Sequence, residues 1–187
     1  MKFESNWTQT YTGKKFVLMN PDPEAVCIED VAHSLAMQCR FNGHTTHFYS
    51  VAEHSWWVSH IVPPEFALQG LMHDASEAYI SDIPKPFKVM LGFFVEWIEH
   101  KHLSVIGDKF GFDPHLSPVV KDADVEMLLW ERDQALRSTE HRWSPYIENY
   151  QRYLAAQQGV DVTLQFWSPE QARIKFLERF EELQSRK

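Results

Sequence analysis

Cysteine is scarce in this chain. Only Cys27 and Cys39 occur among 187 residues. Two isolated cysteines match neither a zinc-ligand pattern nor a disulfide framework, which requires several cysteines at regular spacings. We therefore expect two reduced thiols in a protein of a reducing compartment, the cytoplasm.

Long apolar runs are also lacking. No stretch approaches the roughly 18 consecutive apolar residues that a membrane-spanning helix needs, and the first six residues, 1–6, contain no apolar segment of the kind found in secretory signals. The sequence therefore predicts neither a membrane span nor a signal peptide.

Positive charge is in deficit. Lysine and arginine number 18 against 26 aspartate and glutamate residues, which gives a formal net charge of −8. Such a chain is poorly suited to binding a nucleic-acid polymer, because sequence-independent binding requires a basic face that displaces counterions. A small nucleotide is not excluded, since a bound metal ion and a few local lysines can outweigh the overall field.

What the chain does have is apolar content that can form a core. Hydrophobic residues make up 44% and aromatic residues 14%, which is sufficient for one domain spanning 1–187. The apolar spacing is mostly helical, so we predict a mainly α-helical bundle with a small N-terminal β-hairpin. The hairpin is expected to pair 15–19 with 26–28. Helices are expected at about 29–40, 51–62, 64–79, 93–108, 117–136, 145–156 and from Ser168 onward, with a non-helical elbow at Pro84 and Pro86.

The segment His73-Asp74-Ala75-Ser76-Glu77 carries the strongest chemical signal. At about 100° per helical residue, His73, Asp74 and Glu77 share one narrow arc beside the apolar stripe of their helix. An outward-facing charge pair is the alternative interpretation, and for an isolated His-Asp dipeptide it would be preferred.

Two other helices favour a site. His54 falls on the apolar face of its predicted helix, and Asp124 shares a face with Val120 and Leu128. A lone inward histidine is commonly a satisfied core residue, but an inward carboxylate is costly unless it is paired or bound to a cation. If the helices are neighbours, two imidazoles and two carboxylates could hold Mn²⁺, Co²⁺, Fe²⁺, Zn²⁺ or Mg²⁺.

The order His54, His73-Asp74, Asp124 resembles the H…HD…D signature of the HD phosphohydrolase superfamily. Within it, the likeness is greatest to small bacterial 5′-deoxynucleotidases and to prophage and phage HD proteins, some of them dATP triphosphohydrolases. It extends over about 13–136, with the motif-bearing core at about 29–136. The matching stretches are Cys39-Arg40-Phe41, 49–55, 72–78, 82–88 and 120–124.

The resemblance implies a role for each matching residue at the metal. His54, His73, Asp74 and Asp124 would bind a divalent metal ion, and Glu77 would orient the attacking water or accept its proton. Asp74 and Glu77 are thus the expected catalytic residues, together with a phosphate-binding arginine.

The resemblance also implies the substrate contacts. Arg40 would be that arginine, because a guanidinium binds phosphate oxygens in a bidentate manner. Phe41 would pack on the sugar, at a place where a member of the family carries tryptophan. Asp82 would bond a sugar hydroxyl, and Lys88 and Lys121 would neutralise phosphates, although both lysines could equally be surface residues.

The expected function is hydrolysis of a deoxynucleotide, with a deoxynucleoside triphosphate such as dATP first and a 5′-monophosphate second. A catalytically silent nucleotide-binding HD module is the alternative from another class. We expect a homo-oligomer, located in the host cytoplasm if a phage encodes the chain.

Overall fold

The computed structural model describes residues 6–186, and it is dominated by helices. The predicted mainly α-helical fold with a two-stranded N-terminal hairpin is confirmed. Most of residues 1–6, where no signal was expected, lie outside the described part. In residues 6–186, no helix combines the length and apolarity needed to cross a membrane. The elements are β1 (Trp7–Gln9), β2 (Lys15–Val17), α1 (Ile28–Met37), α2 (Val51–Ile61), α3 (Ala67–Met72), α4 (Glu77–Ile80), α5 (Lys85–Leu91), α6 (Phe93–Phe110), α7 (Pro118–Ala135), α8 (Pro145–Glu148), α9 (Leu154–Gln157) and α10 (Pro169–Ser185).

The hairpin uses a different partner strand from the one expected. Strand β2 pairs antiparallel with β1, with Thr8 opposite Phe16, so the predicted pairing of 15–19 with 26–28 is wrong. The segment after β2 instead forms a short 3₁₀ turn at Pro23–Ala25, capped by the Asp22 side chain, which accepts the N–H of Glu24. Proline at the first position of that turn supplies no N–H for a strand ladder.

Serine caps start the helices where the sequence predicted. The Ser50 hydroxyl accepts the N–H of Glu53 at the start of α2. Ser168 and Gln171 form a reciprocal capping box at the start of α10. Each cap satisfies a backbone donor that the first helical turn leaves free.

The continuous helix predicted over 64–79 is interrupted. A 3₁₀ turn at Pro64–Phe66 leads into α3, and the chain tightens over 73–76 before α4 begins. Here the N–H of Ala75 bonds to the carbonyl of Met72 and that of Glu77 to the carbonyl of Asp74, three residues back in each case. With about three residues per turn, residues at i and i+3 eclipse. Asp74 and Glu77 are therefore brought to the same side of the chain.

Two further expectations are wrong in detail. The proline-rich elbow is helical, because Pro84 is the N-cap of α5 and Pro86 lies in its first turn, where a missing N–H carries no penalty. The helix expected at 145–156 is two short helices, α8 and α9. The guanidinium of Arg152, in the segment between them, bonds the carbonyl of Leu129 and the carboxylate of Asp133 on α7.

Helix α2 lies at the centre of the core. Every residue of α2 except Trp56 and His60 is buried, and the helix packs against α1, α3, α7, α9 and α10. Gly70 permits the close crossing with α3, since a Cβ there would lie 3.2 Å from the Cα of Ser59. This crossing sets the distance between the segments that carry His54 and His73.

Two buried carboxylates anchor the C-terminal segments. Glu53 on α2 accepts the backbone N–H groups of Gln165, Phe166 and Trp167. Glu126 on α7 accepts three consecutive N–H groups of residues 153–155 at the start of α9. Both side chains are fully buried, so their charge is stabilised by these amide donors rather than by water.

Replacing Glu126 by Gln should destabilise the fold. The amide keeps the shape, but it loses the charge and turns an NH₂ group toward backbone donors. We expect Glu126→Gln to lower the free energy of unfolding by about 1–3 kcal/mol, measured by urea denaturation. The matched control is Glu181→Gln on the exposed side of α10, which should change it by less than about 0.5 kcal/mol. Equal effects of the two variants would contradict this role of Glu126.

Candidate metal centre

Three separate segments deliver the predicted ligand side chains to one place. His54 comes from the middle of α2, His73 and Asp74 from the tight turn after α3, and Asp124 from α7. The histidines are buried, whereas the Asp124 side chain remains 48% exposed. The two histidines therefore lie at the buried end of the site, and the end at Asp124 is open to solvent.

The donor atoms of His54, His73 and Asp124 converge. The two Nε2 atoms lie 3.3 Å apart, and Oδ1 of Asp124 is 3.2 Å from Nε2 of His54. One ligand atom from each of the three residues lies within 4.8 Å of the other two. This group could hold a metal ion.

Asp74 lies beside this group. Its Oδ2 is 3.2 Å from Nε2 of His73 and 3.7 Å from Nε2 of His54. Ligands bound at about 2.1 Å to one cation are separated by about 3.0–3.4 Å in tetrahedral or octahedral geometry. The separations of 3.3 Å between His54 and His73, 3.2 Å between His54 and Asp124 and 3.2 Å between His73 and Asp74 fall in that range, whereas His54 and Asp74 are farther apart at 3.7 Å.

Each imidazole is oriented by an acceptor on its far side. Nδ1 of His54 lies 2.6 Å from Oε1 of Glu131, and Nδ1 of His73 lies 2.8 Å from the carbonyl oxygen of Gly70. When Nδ1 carries the proton and donates it, the lone pair remains on Nε2. Both Nε2 atoms would then be available as ligands, in the arrangement typical of metal-binding histidines.

Glu131 was missed by the sequence reasoning. It is fully buried and also binds Arg40, with Nη2 of Arg40 3.1 Å from Oε2 and Nε 3.0 Å from Oε1. The signal that could have found it is its position seven residues after Asp124, two turns along the same face of α7. Arg40, expected to bind phosphate, is therefore held by a carboxylate and approaches Asp74 at 3.7 Å.

The charges at the centre perturb one another. Burial and Arg40 oppose protonation of His54, but the Glu131 and Asp124 carboxylates outweigh them and raise its pKa to about 9. Burial likewise opposes ionisation of Asp74 and Glu131, yet the facing imidazoles and Arg40 lower the pKa of both carboxyls. The centre stabilises positive charge where the imidazoles and carboxylates meet.

Glu77 differs from these carboxylates. Burial, together with Asp74 and Asp82, raises its pKa well above the usual range, against the opposing effect of Lys88. One oxygen, Oε1, lies 3.2 Å from Nζ of Lys88, which also binds Glu99 at 2.7 Å. The other oxygen, Oε2, is buried without a hydrogen-bond partner. A buried, unpartnered oxygen on a basic carboxylate is suited to accept a proton from a bound molecule.

Asp82 is held at the edge of the centre by a residue that the sequence did not indicate. The backbone N–H of Asp82 donates to Oε1 of Gln38, and Nε2 of Gln38 donates to the carbonyl of Glu77. The chain enters Asp82 through Ser81, whose φ of 76° is unusual for a residue other than glycine. Burial raises the pKa of Asp82.

Phe41 and Lys121 lie at the periphery. Phe41 adopts φ 53°, ψ 33° and is followed by Asn42 in the same left-handed region, a conformation that is costly for a bulky side chain. Its ring lies 5.6 Å from Cζ of Arg40. Lys121 is exposed, three residues before Asp124 on α7.

Comparisons with known proteins place the chain among relatives. No family model matches it. The chain is 38% identical to the uncharacterized protein YfdR of Escherichia coli over 182 residues, which cover 95% of this chain and 96% of YfdR. It is 32% identical over 126 residues to the uncharacterized protein RCAP_rcc00048 of Rhodobacter capsulatus, covering 63% of this chain and 64% of that protein. The chain belongs to the family of Escherichia coli YfdR.

Proposed function

We propose that this protein is a metal-dependent phosphohydrolase of the HD type that acts on deoxynucleotides, with a deoxynucleoside triphosphate such as dATP as the first candidate. One observation supports this most: the ligand atoms of His54, His73, Asp74 and Asp124 meet next to Glu77, whose Oε2 is free. A set of metal-ligand side chains beside an unpartnered basic carboxylate fits hydrolysis of a nucleotide better than binding of a nucleotide without turnover.

The donor set fits a divalent cation. Two imidazole nitrogens with two carboxylates suit Mn²⁺, Co²⁺, Fe²⁺, Zn²⁺ or Mg²⁺. Such a cation, when bound, would polarise a phosphate oxygen and lower the pKa of the attacking water. The roles of Glu131 and of the carbonyl of Gly70 would be to fix the two imidazoles for it.

The proposed step requires only one proton acceptor from the chain. Water attacks the phosphorus, the bond between phosphorus and the 5′ oxygen breaks, and the water proton moves to Oε2 of Glu77. The 5′ oxygen takes up a proton as the nucleoside leaves, which Glu77 can return. Lys88 holds the other oxygen of Glu77 in place, and burial together with Asp74 and Asp82 raises the pKa of Glu77, which makes it a stronger proton acceptor than an exposed carboxylate.

The residues at the periphery would supply the substrate contacts. The ring of Phe41 is available to pack on the sugar, and the Asp82 carboxylate is available for a sugar hydroxyl. Lys121, exposed on α7 three residues before Asp124, would contact a phosphate. The overall charge of −8 favours a small nucleotide over a polymer.

A 5′-deoxynucleoside monophosphate is the second candidate, favoured by the local charge. Arg40 is paired with Glu131, and Lys88 is paired with Glu77 and Glu99. Of the three cationic residues discussed, only Lys121 lies exposed. A triphosphate would have to draw these paired cations away from their carboxylates, whereas a monophosphate needs less positive charge.

A substrate screen tests the proposal. The purified protein is incubated with individual dNTPs, dNMPs and NMPs and with Mn²⁺ or Co²⁺, and the products are separated by chromatography. Inorganic tripolyphosphate with free deoxynucleoside is expected for the first candidate, and inorganic phosphate with deoxynucleoside for the second. Nucleotide binding without turnover would refute the hydrolase and identify a silent nucleotide-binding module.

Substitutions of Glu77 and Asp74 should distinguish the loss of catalysis from the loss of metal binding. Glu77→Ala is expected to retain the metal and lose roughly 10²–10⁴-fold in turnover, because only the proton acceptor is removed. Asp74→Ala is expected to lose both metal and turnover. Metal content is measured by elemental analysis after desalting, and Glu65→Ala, an exposed position, serves as control. Full activity of Glu77→Ala would show that its proposed role is wrong.

Glu131 should control metal affinity. In Glu131→Gln the acceptor for His54 loses its charge and Arg40 loses its partner, so the Co²⁺ dissociation constant is expected to rise by roughly 10- to 100-fold. Visible absorption during Co²⁺ titration measures this without reference to activity. Asp133→Asn, on the same helix but exposed and paired with Arg152, should leave the constant unchanged. If Glu131→Gln altered only the melting temperature, Glu131 would be a structural residue.

A further inference from the structure

The tip formed by helices α5 and α6 exposes an unusual amount of apolar surface. Seven apolar residues within the eleven-residue stretch 87–97 are exposed, among them Met90 at 80% and Phe93 at 83%. We name this set the apolar tip. Its members are Phe87, Val89, Met90, Leu91, Phe93, Phe94 and Trp97.

Helix α5 has no interior face in a single chain. None of its residues is buried, and it packs mainly against α6. A helix that is apolar on several sides is normally covered by protein on more than one side. The single chain covers only one of them, whereas α6 is anchored through the buried Val95 and Ile98.

The exposed area is that of an interface. The seven side chains expose roughly 900 Å², which exceeds the few hundred Å² of a typical monomer patch and matches what each partner contributes to a standard interface. Exposed residues of opposite charge, Lys85 and Glu96, lie near the two ends of this stretch in the sequence. A two-fold contact can therefore place apolar residues at its centre and unlike charges at its rim.

We propose that the apolar tip is the contact surface between two copies of this chain in a symmetric dimer. A membrane surface is the less favourable occupant, since a chain with a net charge of −8 is repelled by anionic lipids. The proposal does not depend on the hydrolase, because it concerns only the assembly of the chain.

The dimer would also act on the metal centre. Helix α5 carries Lys88, whose ion pairs with Glu77 and Glu99 tie this helix to the rest of the chain. A second copy packed on α5 would hold the ammonium group of Lys88 against Glu77. Assembly and the position of the proton acceptor would then be linked through one short helix.

Sedimentation velocity at micromolar concentration tests the proposal. The wild-type chain is expected at about twice its mass of 22.0 kDa. The double variant Met90→Glu/Phe93→Glu should sediment as a single chain, a twofold loss of mass, since it would bury four carboxylates at the interface. Both positions are highly exposed, so circular dichroism should show an unchanged helical content and confirm that the variant folds.

The matched control is Tyr146→Glu on α8, an aromatic residue that is 62% exposed away from the tip; it should retain the dimer. A wild-type chain that is monomeric would overturn the proposal. So would a double variant that keeps the wild-type mass, or a control that dissociates equally. In a parallel arm with phosphatidylcholine vesicles, a monomeric wild type that co-sediments with them would assign the tip to lipid instead.

Discussion

A buried hydrogen bond of 2.6 Å between Glu131 and Nδ1 of His54 joins helix α7 to helix α2. The same carboxylate binds the guanidinium of Arg40, which lies just after α1. Three distant parts of the chain are thus joined at one side chain with no exposure to solvent. An uncompensated charge at such depth would cost several kcal/mol, so carboxylate, imidazole and guanidinium are stable there only as a set. The orientation of His54 as a candidate metal ligand, and the approach of Asp124 toward it, depend on this arrangement.

The backbone conformation also determines the geometry of the candidate site. The tightened turn at 73–76 aligns Asp74 with Glu77, so that one carboxylate faces the imidazoles while the other faces Lys88. Two carboxyl groups only three residues apart consequently acquire opposite properties: the pKa of Asp74 is lowered by the facing imidazoles, and that of Glu77 is raised by burial and neighbouring negative charge. Environments that separate the pKa values of neighbouring acids are characteristic of sites that move protons.

Local signals predicted much of this structure. The caps at Ser50 and Ser168, the helical spacing of apolar residues and the inward position of His54 are set by nearby residues, and each could be inferred from the sequence. The choice of strand partner for β2 could not, because it depends on which apolar segment the core accepts after the chain has folded. The break in the helix after Met72 could not be predicted either. The same residue types are compatible with backbone hydrogen bonds to the residue three positions back, as in this turn, and to the residue four positions back, as in a continuous α-helix.

Glu131 shows which part of the candidate site could not be predicted from the sequence. In the sequence, Glu131 resembles the solvated charged residues around it on α7. It differs from them only in lying two helical turns from Asp124. The pairing of Arg40 with that glutamate, in place of an uncommitted guanidinium, likewise depends on a contact between residues 91 positions apart. Family resemblance supplied the expected ligands, whereas the residues that orient them emerged from the packing.

The anchoring of the C-terminal segments has a consequence for how the chain can be divided. Glu53 directly precedes His54, and Glu126 lies two residues after Asp124, so the helices that bear two of the ligand side chains also carry the carboxylates that capture amides from 153–155 and 165–167. A fragment truncated after 136 would lose the backbone amides that bind both carboxylates, and it would expose the apolar faces of α1, α2 and α3 that pack against α10. The last fifty residues, which contain no recognisable motif, therefore pack as part of the same folded unit as the motif-bearing region. Insertions at the boundary of that region, near residue 136, would separate the two carboxylates from the amides that bind them.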